Sequence, residues 1–315
     1  MKPAILLIGT TGQVGRELNR MLPRIGEVTP LDRERLDLTR PGEIRSAIRS
    51  FRPSFIVNAA AYTAVDKAES DQAVARAINA EAPAVMAEEA KKIGASLIQY
   101  STDYVFDGTK TTPYDEDDPA NPQNVYGKTK LEGERAIQAS GGAHLIFRTA
   151  WVYATQGRNF LLTILRLATQ REELRIVRDH VGAPTLNREI ARATTQILAQ
   201  ICGQERGPVS LVGVSGIYHL TAGGETSWYD FTNAILEEAA KIPDATPWFA
   251  AATGNLPLIA RRVVPILTSE YPTPAKRPAY SVLSNARLNG TFSVKLPDWR
   301  EQLHSIFVAP PAEGV

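Results

Sequence analysis

A tyrosine and a lysine stand four residues apart near the middle of the chain, and a threonine precedes both. Tyr126 and Lys130 follow Thr102 by 24 and 28 positions. If residues 124–140 form a helix, Tyr126 and Lys130 lie on one face, one turn apart. The ammonium group would then favour the phenolate and lower the pKa of Tyr126 below its usual value of about 10. Such a tyrosine can give a proton to a carbonyl oxygen near neutral pH.

Three glycines close to the start of the chain have the spacing of a phosphate-binding turn. Gly9, Gly12 and Gly15 directly follow an apolar run and open a helical pattern, the setting in which this spacing is specific. The first glycine permits a tight turn, the second lets the backbone approach a pyrophosphate, and the third lets helix and strand pack closely. The helix N-terminus would supply amide donors and a positive dipole. The candidate cofactor contacts are Gly9, Thr11, Gly12, Gln13, Val14 and Gly15.

An acidic residue ends the second apolar run, where a dinucleotide-binding fold holds the adenosine ribose. Asp32 lies 17 residues after Gly15, close to the spacing expected for that contact. Arg33 follows at once and Arg35 is near, and a guanidinium group there would hold a 2′-phosphate. The acid indicates NAD and the arginines indicate NADP, unless the arginines are only surface charges. We expect NADPH to be used and NADH to be accepted.

Two further segments are placed to line a cofactor. Asp37 and Leu38 precede Thr39, a candidate helix cap, and would lie near the adenine. Past the third apolar run, three consecutive alanines offer small side chains where a flat ring and a ribose must pass. Ordinary loop chemistry would also account for both segments. The candidates in the second segment are Ala59, Ala60, Ala61, Tyr62 and Thr63.

The first half of the chain has the alternating pattern of a scaffold that would position these groups. Short apolar runs alternate with helical patterns, which is typical of βαβ units. The runs are nearly unbroken, as expected for strands covered on both faces. We therefore predict an α/β fold with a doubly wound parallel Rossmann sheet. The predicted strands are Ala4–Ile8, Val28–Leu31, Phe55–Asn58, Ser96–Tyr100 and His144–Arg148, and the predicted helices cover 13–22, 41–50, 70–93 and 124–139.

The second half changes character, and we expect it to form a smaller substrate-binding lobe that is partly interleaved with the sheet. Its predicted elements are helices over 159–170, 186–203 and 227–241, the last capped by Ser227, a strand over 174–177, and a strand over 217–220 that returns to the sheet. Residues 271–280 carry three prolines and are expected to be a loop, and 309–315 a frayed tail. We predict an NAD(P)-binding domain over 1–150 and mainly a substrate-binding lobe over 151–315.

Composition excludes several classes of protein. The chain has 315 residues, 22% of them charged, and a formal net charge of +1, so no basic stripe indicates nucleic acid. With one cysteine and four histidines a zinc site is not expected. Cys202 lies in an apolar helical stretch and is expected to fill core space in a reducing compartment. The apolar run after Lys2 is too short for a signal peptide and no run suits a membrane span, so we expect a soluble, cytoplasmic protein.

Several segments together resemble the extended short-chain dehydrogenase/reductase superfamily, and the resemblance covers nearly the whole chain. It is strongest with the nucleotide-sugar reductases of that superfamily. The most specific segments are the Tyr-Thr-Ala-Val-Asp run within 58–69 and the Arg-Pro-x-x-Ser-x-Leu run that begins at Arg277. The others are Gly9–Gly15, Ser101–Gly108, Tyr126–Lys130, Arg148–Tyr153 and Gly182–Thr185.

The resemblance implies that NAD(P)H reduces the C4 ketone of a dTDP-linked 6-deoxy sugar, with L-rhamnose as the sugar of the product. Matched by position, Tyr126 would be the general acid, Lys130 its activator and a ribose ligand, and Thr102 the hydroxyl that polarises the ketone. The chemistry agrees, because two hydroxyl donors beside an ammonium group stabilise a developing alkoxide. A homodimer is the expected assembly. The implied substrate contacts are Val65, Asp66, Thr102, Asp103, Tyr104, Trp151 and Arg277, the last near the diphosphate.

Simpler roles remain open for some of these residues. Trp151 follows a predicted strand and would also suit the core. Asp66 and Arg277 would also suit exposed positions. Asp103 and Asp107 are expected to stabilise their turn more than to act chemically.

Two positions qualify the resemblance. His180 stands where the family usually has glutamine, and we expect a hydrogen-bonded pocket residue there. Glu17 matches a position that in some members helps to bind Mg²⁺ at a dimer contact. One carboxylate does not establish a metal site, so we expect Glu17 to be a solvated helix residue.

Two other functions stay open. A 4,6-dehydratase or 4-epimerase would share the scaffold, but related dehydratases place Asp-Glu directly after the catalytic threonine, and here Asp103-Tyr104 follows Thr102. A non-catalytic NADP-binding regulatory subunit, such as that of methionine adenosyltransferase, would not need an intact Thr102, Tyr126 and Lys130. A reductase is favoured over both, and it would consume NADPH where a dehydratase recycles a bound cofactor.

Overall fold

The first half of the chain alternates strands with helices, in agreement with its apolar pattern. The computed structural model describes residues 2–203, 211, 213–241 and 246–308. The strands of the first half are β1 (Ala4–Ile8), β2 (Glu27–Leu31), β3 (Phe55–Asn58), β4 (Ser96–Thr102) and β5 (His144–Thr149). The helices are α1 (Gln13–Met21), α2 (Pro41–Phe51), α3 (Val65–Ala68), α4 (Gln72–Arg76), α5 (Ala82–Ile93) and α6 (Val125–Ser140).

The second half has shorter strands and more helix. Its strands are β6 (Val152–Tyr153), β7 (Glu173–Val177), β8 (Val181–Gly182), β9 (Thr185–Leu186), β10 (Gly216–His219), β11 (Thr226–Ser227) and β12 (Arg262–Ile266). Its helices are α7 (Phe160–Ala168), α8 (Asn187–Gly203), α9 (Trp228–Ala239), α10 (Pro247–Thr253), α11 (Ala286–Phe292) and α12 (Trp299–Val308). Residues 271–280 contain neither helix nor strand, as their prolines predict. The tail predicted over 309–315 lies outside the described residues.

One parallel sheet of six strands carries the fold, in the order β10-β5-β4-β3-β1-β2. The strand predicted near 217–220 returns to this sheet as β10 and pairs with β5. The prediction of a doubly wound parallel sheet is therefore confirmed. The strand order reverses between β1 and β3, and ligands of such sheets bind in the crevice at the carboxyl ends of the strands.

Two apolar layers cover the two faces of the sheet. Ile5 and Leu7 of β1 belong to one layer, and Leu6 and Ile8 to the other, because successive side chains of a strand point to opposite faces. Helices α1 and α8 cover the first face, and α2 and α5 the second. Cys202 of α8 is partly buried against the first layer, as its apolar context predicts, and burial raises its pKa. The helices on both faces thus fix the position of the sheet, including the carboxyl ends of its strands.

A separate core holds the second lobe together. Side chains of α7, α9 and α12, including Leu161, Phe231 and Leu303, bury one another there with Tyr153. Each such side chain stabilises the fold by about 1.5–3 kcal/mol through burial. Among the described residues, no helix is both long enough and apolar enough to cross a membrane.

Two elements differ from the sequence prediction. The helix predicted over 70–93 is interrupted by a π-helical turn at residues 77–81. Pro83 has no N–H to donate to the carbonyl of Asn79, so regular α-helical bonding fails there. Strand β4 extends two residues beyond its predicted end, so that Thr102 is its last residue.

Candidate active site

The turn after β1 can be made only by glycine. Gly9 has a φ of +86°, and its N–H donates to the carbonyl of Leu31 at 2.8 Å. A Cβ atom at Gly9 would lie 2.6 Å from the backbone nitrogen of Ala60, and one at Gly15 would lie 2.1 Å from the Gly9 carbonyl oxygen. The two glycines therefore let β1, the turn and α1 approach more closely than any side chain would allow.

The start of α1 is open to an anion. Gly12 is its N-cap residue and supplies no side-chain acceptor. Gln13 fixes the turn, since its Oε1 accepts from Asn159 at 3.0 Å and its carbonyl accepts from Asn187 at 2.8 Å. Sequence analysis missed both asparagines, because nothing local indicates contacts with residues so distant in the chain. With its positive dipole and with glycines in place of side chains, this turn fits the pyrophosphate of a dinucleotide.

The charged residues of the loop after β2 have different roles. Asp32 Oδ1 accepts from the N–H groups of Glu34 and Arg35, each at 3.1 Å. The Arg35 guanidinium donates to the carbonyl of Pro30 at 3.1 Å. Arg33 is exposed, and within the described residues its side chain has no hydrogen bond or ion pair. Asp32 and Arg35 thus shape the loop, and Arg33 extends into solvent.

The segment at 37–39 is a turn and does not cap a helix through Thr39. Asp37 Oδ1 accepts from the N–H of Thr39 at 2.9 Å and from its hydroxyl at 2.8 Å, and these bonds lower the pKa of Asp37. The predicted cap at Thr39 is wrong, because Arg40 is the N-cap of α2 and Pro41 its first residue. Leu38 is buried.

The loop after β3 is held by a buried asparagine that sequence analysis missed. Asn79, in the π-helical turn, accepts from the N–H of Tyr62 at 2.9 Å and donates to its carbonyl at 3.1 Å. Asn79 also donates to Thr129 Oγ1 at 3.2 Å, which ties the loop to α6. Ala59, Ala60, Ala61 and Tyr62 are partly buried, and Thr63 is exposed. The sequence did contain a signal for this role, because Asn79 is a polar residue inside an apolar helical run, four positions before Pro83.

Thr102 and Tyr126 meet at the carboxyl edge of the sheet. Asn124 caps α6 by accepting from the N–H of Gly127 at 2.8 Å. A Cβ at Gly127 would lie 2.2 Å from the carbonyl oxygen of Tyr104, so glycine lets α6 press against the turn after β4. The rings of Tyr104 and Tyr126 pack edge to face, with centroids 5.7 Å apart. The hydroxyl of Thr102 lies close enough to that of Tyr126 to act on its pKa as a hydrogen-bond partner.

The expected lowering of the Tyr126 pKa by Lys130 is wrong. Burial raises the pKa of Tyr126 to about 12, and the hydroxyl of Thr102 only partly offsets this rise. Lys130 Nζ instead donates to the carbonyl of Tyr100 at 2.6 Å. Burial also lowers the pKa of Lys130 to about 8. Desolvation therefore dominates the pKa of both groups, which spacing along a helix does not reveal.

A buried ion pair lies one helical turn beyond Lys130. Glu134 accepts from Arg148 through Nη2 at 2.7 Å and Nε at 3.0 Å, and both side chains are almost fully buried. Arg148 belongs to β5, so this fork fixes α6 against the sheet. The negative charge of Glu134 opposes the fall in the pKa of Lys130. Sequence analysis did not single out Glu134, although an acid four residues after a catalytic lysine was visible.

Asp103 and Asp107, the two aspartates of the turn after β4, differ in their hydrogen bonds and in their pKa values. Asp107 accepts from Thr109, Tyr114 and Asn121, and these bonds, led by that of the Thr109 hydroxyl, lower its pKa to about 2. Asp107 thus stabilises the turn, as expected. Asp103 is buried and accepts from Thr102 Oγ1 at 2.9 Å, while its Oδ2 has no partner within the described residues. Burial raises the pKa of Asp103 to about 6.

Asp66 and Arg277 form a two-point ion pair across the molecule. Arg277 Nη1 donates to Asp66 Oδ1 at 3.0 Å, and Nη2 donates to Oδ2 at 2.7 Å. The fork lowers the pKa of Asp66. Arg277 also donates to Thr273 at 2.6 Å, so the proline-rich loop is tied to the start of α3 beside Val65. These two residues are therefore paired with each other in the absence of substrate.

Trp151 is not a core residue. It is partly exposed and has a φ of +46°, a backbone conformation uncommon for a bulky side chain. Its indole stacks on that of Trp228, which sequence analysis did not single out. His180 is buried and its Nε2 lies 3.0 Å from Thr268 Oγ1, as expected for a hydrogen-bonded residue.

The surroundings of Glu17 do not support Mg²⁺. Glu17 pairs with Arg20 at 3.4 Å and lines a basin with the further arginines Arg24, Arg158 and Arg166. Across the described ranges, no group of three or more His, Cys, Asp or Glu side chains could hold a metal ion. Positive side chains around a single carboxylate favour anions over a divalent cation.

The glycine turn after β1 and the Thr102, Tyr126 and Lys130 set at the sheet edge define the class of short-chain dehydrogenases/reductases. A family model described as the RmlD substrate binding domain matches residues 1–309, and the chain belongs to this family. The resemblance stated from the motifs is therefore confirmed.

Several similar proteins are named dTDP-4-dehydrorhamnose reductase. The dTDP-4-dehydrorhamnose reductase of Burkholderia thailandensis is 49% identical over 296 residues, which cover 94% of this chain and 95% of that protein. The crystal structure of a dTDP-4-dehydrorhamnose reductase from Clostridium acetobutylicum matches with a TM-score of 0.83 and 37% identity, over 96% of this chain and 97% of that chain. The enzyme of that name from Bacillus anthracis, solved in complex with NADP, matches with a TM-score of 0.82 and 31% identity, over 98% and 99% of the two chains.

Proposed function

We propose that this chain reduces the C4 ketone of dTDP-4-dehydro-L-rhamnose with NADPH and so forms dTDP-L-rhamnose. The observation that carries the proposal is the meeting of the Thr102 and Tyr126 side chains at the carboxyl edge of the sheet. The turn that fits a pyrophosphate lies at the same edge. Family membership and the shared name of the relatives support the choice of sugar.

Two hydroxyl groups would act on the ketone oxygen. With a pKa of about 12, Tyr126 carries its proton throughout the neutral range and can serve as the proton donor. An alkoxide oxygen is a stronger base than a phenolate, so this transfer runs downhill once charge develops on the ketone oxygen. Thr102 donates its single hydroxyl proton to Asp103, and on substrate binding this proton would turn to the ketone oxygen and supply the second hydrogen bond.

Lys130 would complete the site when the dinucleotide is bound. Its ammonium group has three donors, and one is used by the carbonyl of Tyr100. The other two would hold the nicotinamide ribose and face the phenol of Tyr126. The nicotinamide supplies the hydride, and the chain supplies orientation and the proton.

The second lobe and the loops beside it would bind the sugar nucleotide. We assign substrate contact to Val65, Asp66, Thr102, Asp103, Tyr104, Trp151 and Arg277. Arg277, though paired with Asp66, has further donors for diphosphate oxygens. We also assign cofactor binding to residues 1–150 and mainly substrate binding to the rest, with β10 as the segment that returns.

Coupled synthesis tests the proposal. The chain would be incubated with dTDP-4-dehydro-6-deoxyglucose, a 3,5-epimerase and NADPH, and the product sugar identified by NMR. We expect dTDP-L-rhamnose with one NADPH consumed per molecule formed. Product formed without net consumption of NADPH would indicate a dehydratase or epimerase. Binding of NADP without turnover of any 4-keto sugar nucleotide would indicate a regulatory subunit.

The free guanidinium of Arg33 favours NADPH over NADH. Arg33 would meet the 2′-phosphate, whereas Asp32 is engaged with the backbone of its own loop. Arg33→Ala should lower kcat/KM for NADPH about tenfold, because one charge-assisted contact is lost. The value of kcat/KM for NADH should stay within about threefold of that of the wild type. Arg35→Ala is the control, since the Arg35 side chain points to the carbonyl of Pro30. Strict use of NADH by the wild type would contradict this assignment.

We also infer that the chain forms a homodimer. The basin of about 1500 Å³ beside Glu17 combines Met21, Trp248 and several arginines, the residue types enriched at the centres of interfaces. Sedimentation equilibrium should give twice the mass of one chain. A wild-type monomer at micromolar concentration would contradict the inference.

We further place the enzyme in the cytoplasm. A chain with one cysteine, Cys202, has no internal disulfide and suits a reducing compartment. Nucleotide-sugar reduction also needs NADPH, which cells keep in that compartment. Recovery of the protein outside the cytoplasmic fraction would overturn this placement.

A further inference from the structure

Trp151 leaves the sheet beside the hydroxyl of Thr102. Strand β5 ends at Thr149, which is the register partner of Thr102 at the end of β4. Trp151 follows Thr149 by two residues, so its backbone emerges at the edge of the sheet where ligands bind. The orientation of its indole therefore shapes the space beside the reacting group.

The backbone of Trp151 needs support from its surroundings. Its φ of +46° lies in the left-handed region, which bulky residues keep only where neighbouring structure fixes them. The N–H of Thr185 donates to the Trp151 carbonyl at 3.2 Å and holds the backbone in place. Gly182 makes room for the ring, since a Cβ at Gly182 would lie 2.5 Å from Cε2 of the indole.

The indole of Trp151 stacks on the indole of Trp228. Trp228 is the first residue of α9, and its indole lies parallel to that of Trp151, with centroids 3.5 Å apart and planes 5° apart. Behind it, Phe160 packs with its ring centroid 4.2 Å from that of Trp228. Ser227 caps α9 by accepting from the N–H of Asp230, so the position of Trp228 is fixed by the helix. Trp151 and Trp228 are both only partly buried, so the stacked pair reaches the protein surface.

We propose that Trp228 is a positioning residue for substrate binding, which holds the indole of Trp151 in the orientation that the sugar pocket requires. Helix α9 of the second lobe thereby sets one wall of the pocket without its own side chain touching the reacting atoms. The inference rests on the proposed function, in which Trp151 borders the sugar. Specificity at this wall of the pocket then depends on Trp228, which lies 77 positions after Trp151 in the chain.

Kinetics of Trp228 variants test the proposal. Trp228→Ala should raise KM for the sugar nucleotide about tenfold, the equivalent of one lost aromatic stack, and leave kcat within about threefold. Trp228→Phe, which keeps a flat ring against Trp151, should recover most of the loss. Trp228→Leu, which keeps apolar volume without a flat face, should behave like the alanine variant and replaces it if that variant does not fold. The matched control is Trp248→Phe in α10, which should leave the KM for the sugar nucleotide unchanged.

Circular dichroism provides a readout independent of activity. Two indoles stacked at this distance couple their transitions, so the wild type should show a paired signal that disappears in Trp151→Phe and in Trp228→Phe but persists in Trp248→Phe. An unchanged KM in Trp228→Ala and Trp228→Leu, or an equal rise in Trp248→Phe, would overturn the proposal. A wild type that reduces no 4-keto sugar would instead overturn the proposed function, while the paired signal would still report the stack.

Discussion

Three ionisable side chains of the site are buried, and burial drives each toward its neutral form. The pKa of Tyr126 rises to about 12, that of Asp103 rises to about 6, and that of Lys130 falls to about 8. Residue types and spacing were enough to find all three. Their charge state was not predictable, because desolvation depends on the packing of α6 against the sheet. Spacing therefore predicted a candidate site at these residues but did not predict their pKa values.

Asp103 should make stability fall as pH rises. Its folded pKa of about 6 lies above its unfolded value of about 4, so the contribution of its protonated form is full below pH 4 and is lost as pH rises through 6. Asp103→Asn removes this ionisation. The free energy of unfolding of the variant relative to wild type should therefore increase between pH 4 and pH 7.5 by up to about 2 kcal/mol, as measured by urea unfolding.

Asp107→Asn is the matched control for this effect. The hydrogen bonds of Asp107 lower its pKa to about 2, so its contribution is present above pH 4 and is lost as pH falls. The variant should lose stability relative to wild type as pH rises, the opposite sign to Asp103→Asn. A pH-independent difference for Asp103→Asn would show that its burial does not govern its ionisation.

At the scale of elements, regular strands were easy to predict and irregular helices were not. Strands β1 and β3 are almost entirely apolar, and such runs fit a sheet covered on both faces. The π-helical turn is different, because a tertiary contact at Asn79 accompanies the missing N–H of Pro83. The carbonyl of Asn79 faces Gly133 of α6 so closely that a Cβ there would lie 2.2 Å away. Helices α10 to α12 were missed because their apolar patterns are short and their partners lie far along the chain.

The ion pair between α2 and α5 should matter for stability. Glu89 of α5 is buried and accepts from Arg49 of α2 at 2.6 and 2.9 Å and from Lys92 at 2.8 Å, and the bond to Arg49 is the main cause of a pKa near 2. Glu89→Gln should lower the free energy of unfolding at pH 7 by about 1–2 kcal/mol. The loss is no larger because Arg49 and Lys92 are exposed and water screens their charges.

This loss should shrink as pH falls, because the contribution of Glu89 is present above its unfolded pKa of about 4.5 and disappears toward pH 2. Chemical unfolding at pH 7 and pH 3.5 checks both points. Glu88→Gln, an exposed neighbour that pairs with Arg45 at 3.4 Å, is the control and should change stability by less than about 0.5 kcal/mol. Equal effects of the two substitutions would contradict the role of burial.

At the scale of the whole molecule, contacts between distant segments assemble the site. Arg277 reaches Asp66, and the amide of Asn124, the cap of α6, donates to the carbonyl of Lys276 at 2.7 Å. The proline-rich loop is thus joined both to α3 and to the helix that carries Tyr126. Motifs indicated that these segments belong to one site. Their pairing could not be read from sequence, since the residues lie more than 150 positions apart.

Arg277→Lys should weaken substrate binding without slowing chemistry. A lysine is a point charge and cannot keep the fork to Asp66 while it also contacts Thr273. KM for the sugar nucleotide should rise about tenfold, with kcat within about threefold. Hydrogen exchange in the loop at 271–276 should also become faster. Lys276→Gln, which alters only an exposed side chain of the same loop, should leave KM unchanged; equal effects of the two variants would contradict the role of the fork.

The most direct test of the central claim is the turnover of Tyr126→Phe with NADPH and dTDP-4-dehydro-L-rhamnose, measured alongside its affinity for NADPH. The variant keeps the ring that packs against Tyr104 and loses only the hydroxyl. Turnover should fall by at least about 100-fold, because general acid catalysis is lost, while NADPH still binds. Turnover within about tenfold of the wild type would show that another group supplies the proton and would contradict the mechanism proposed for this site.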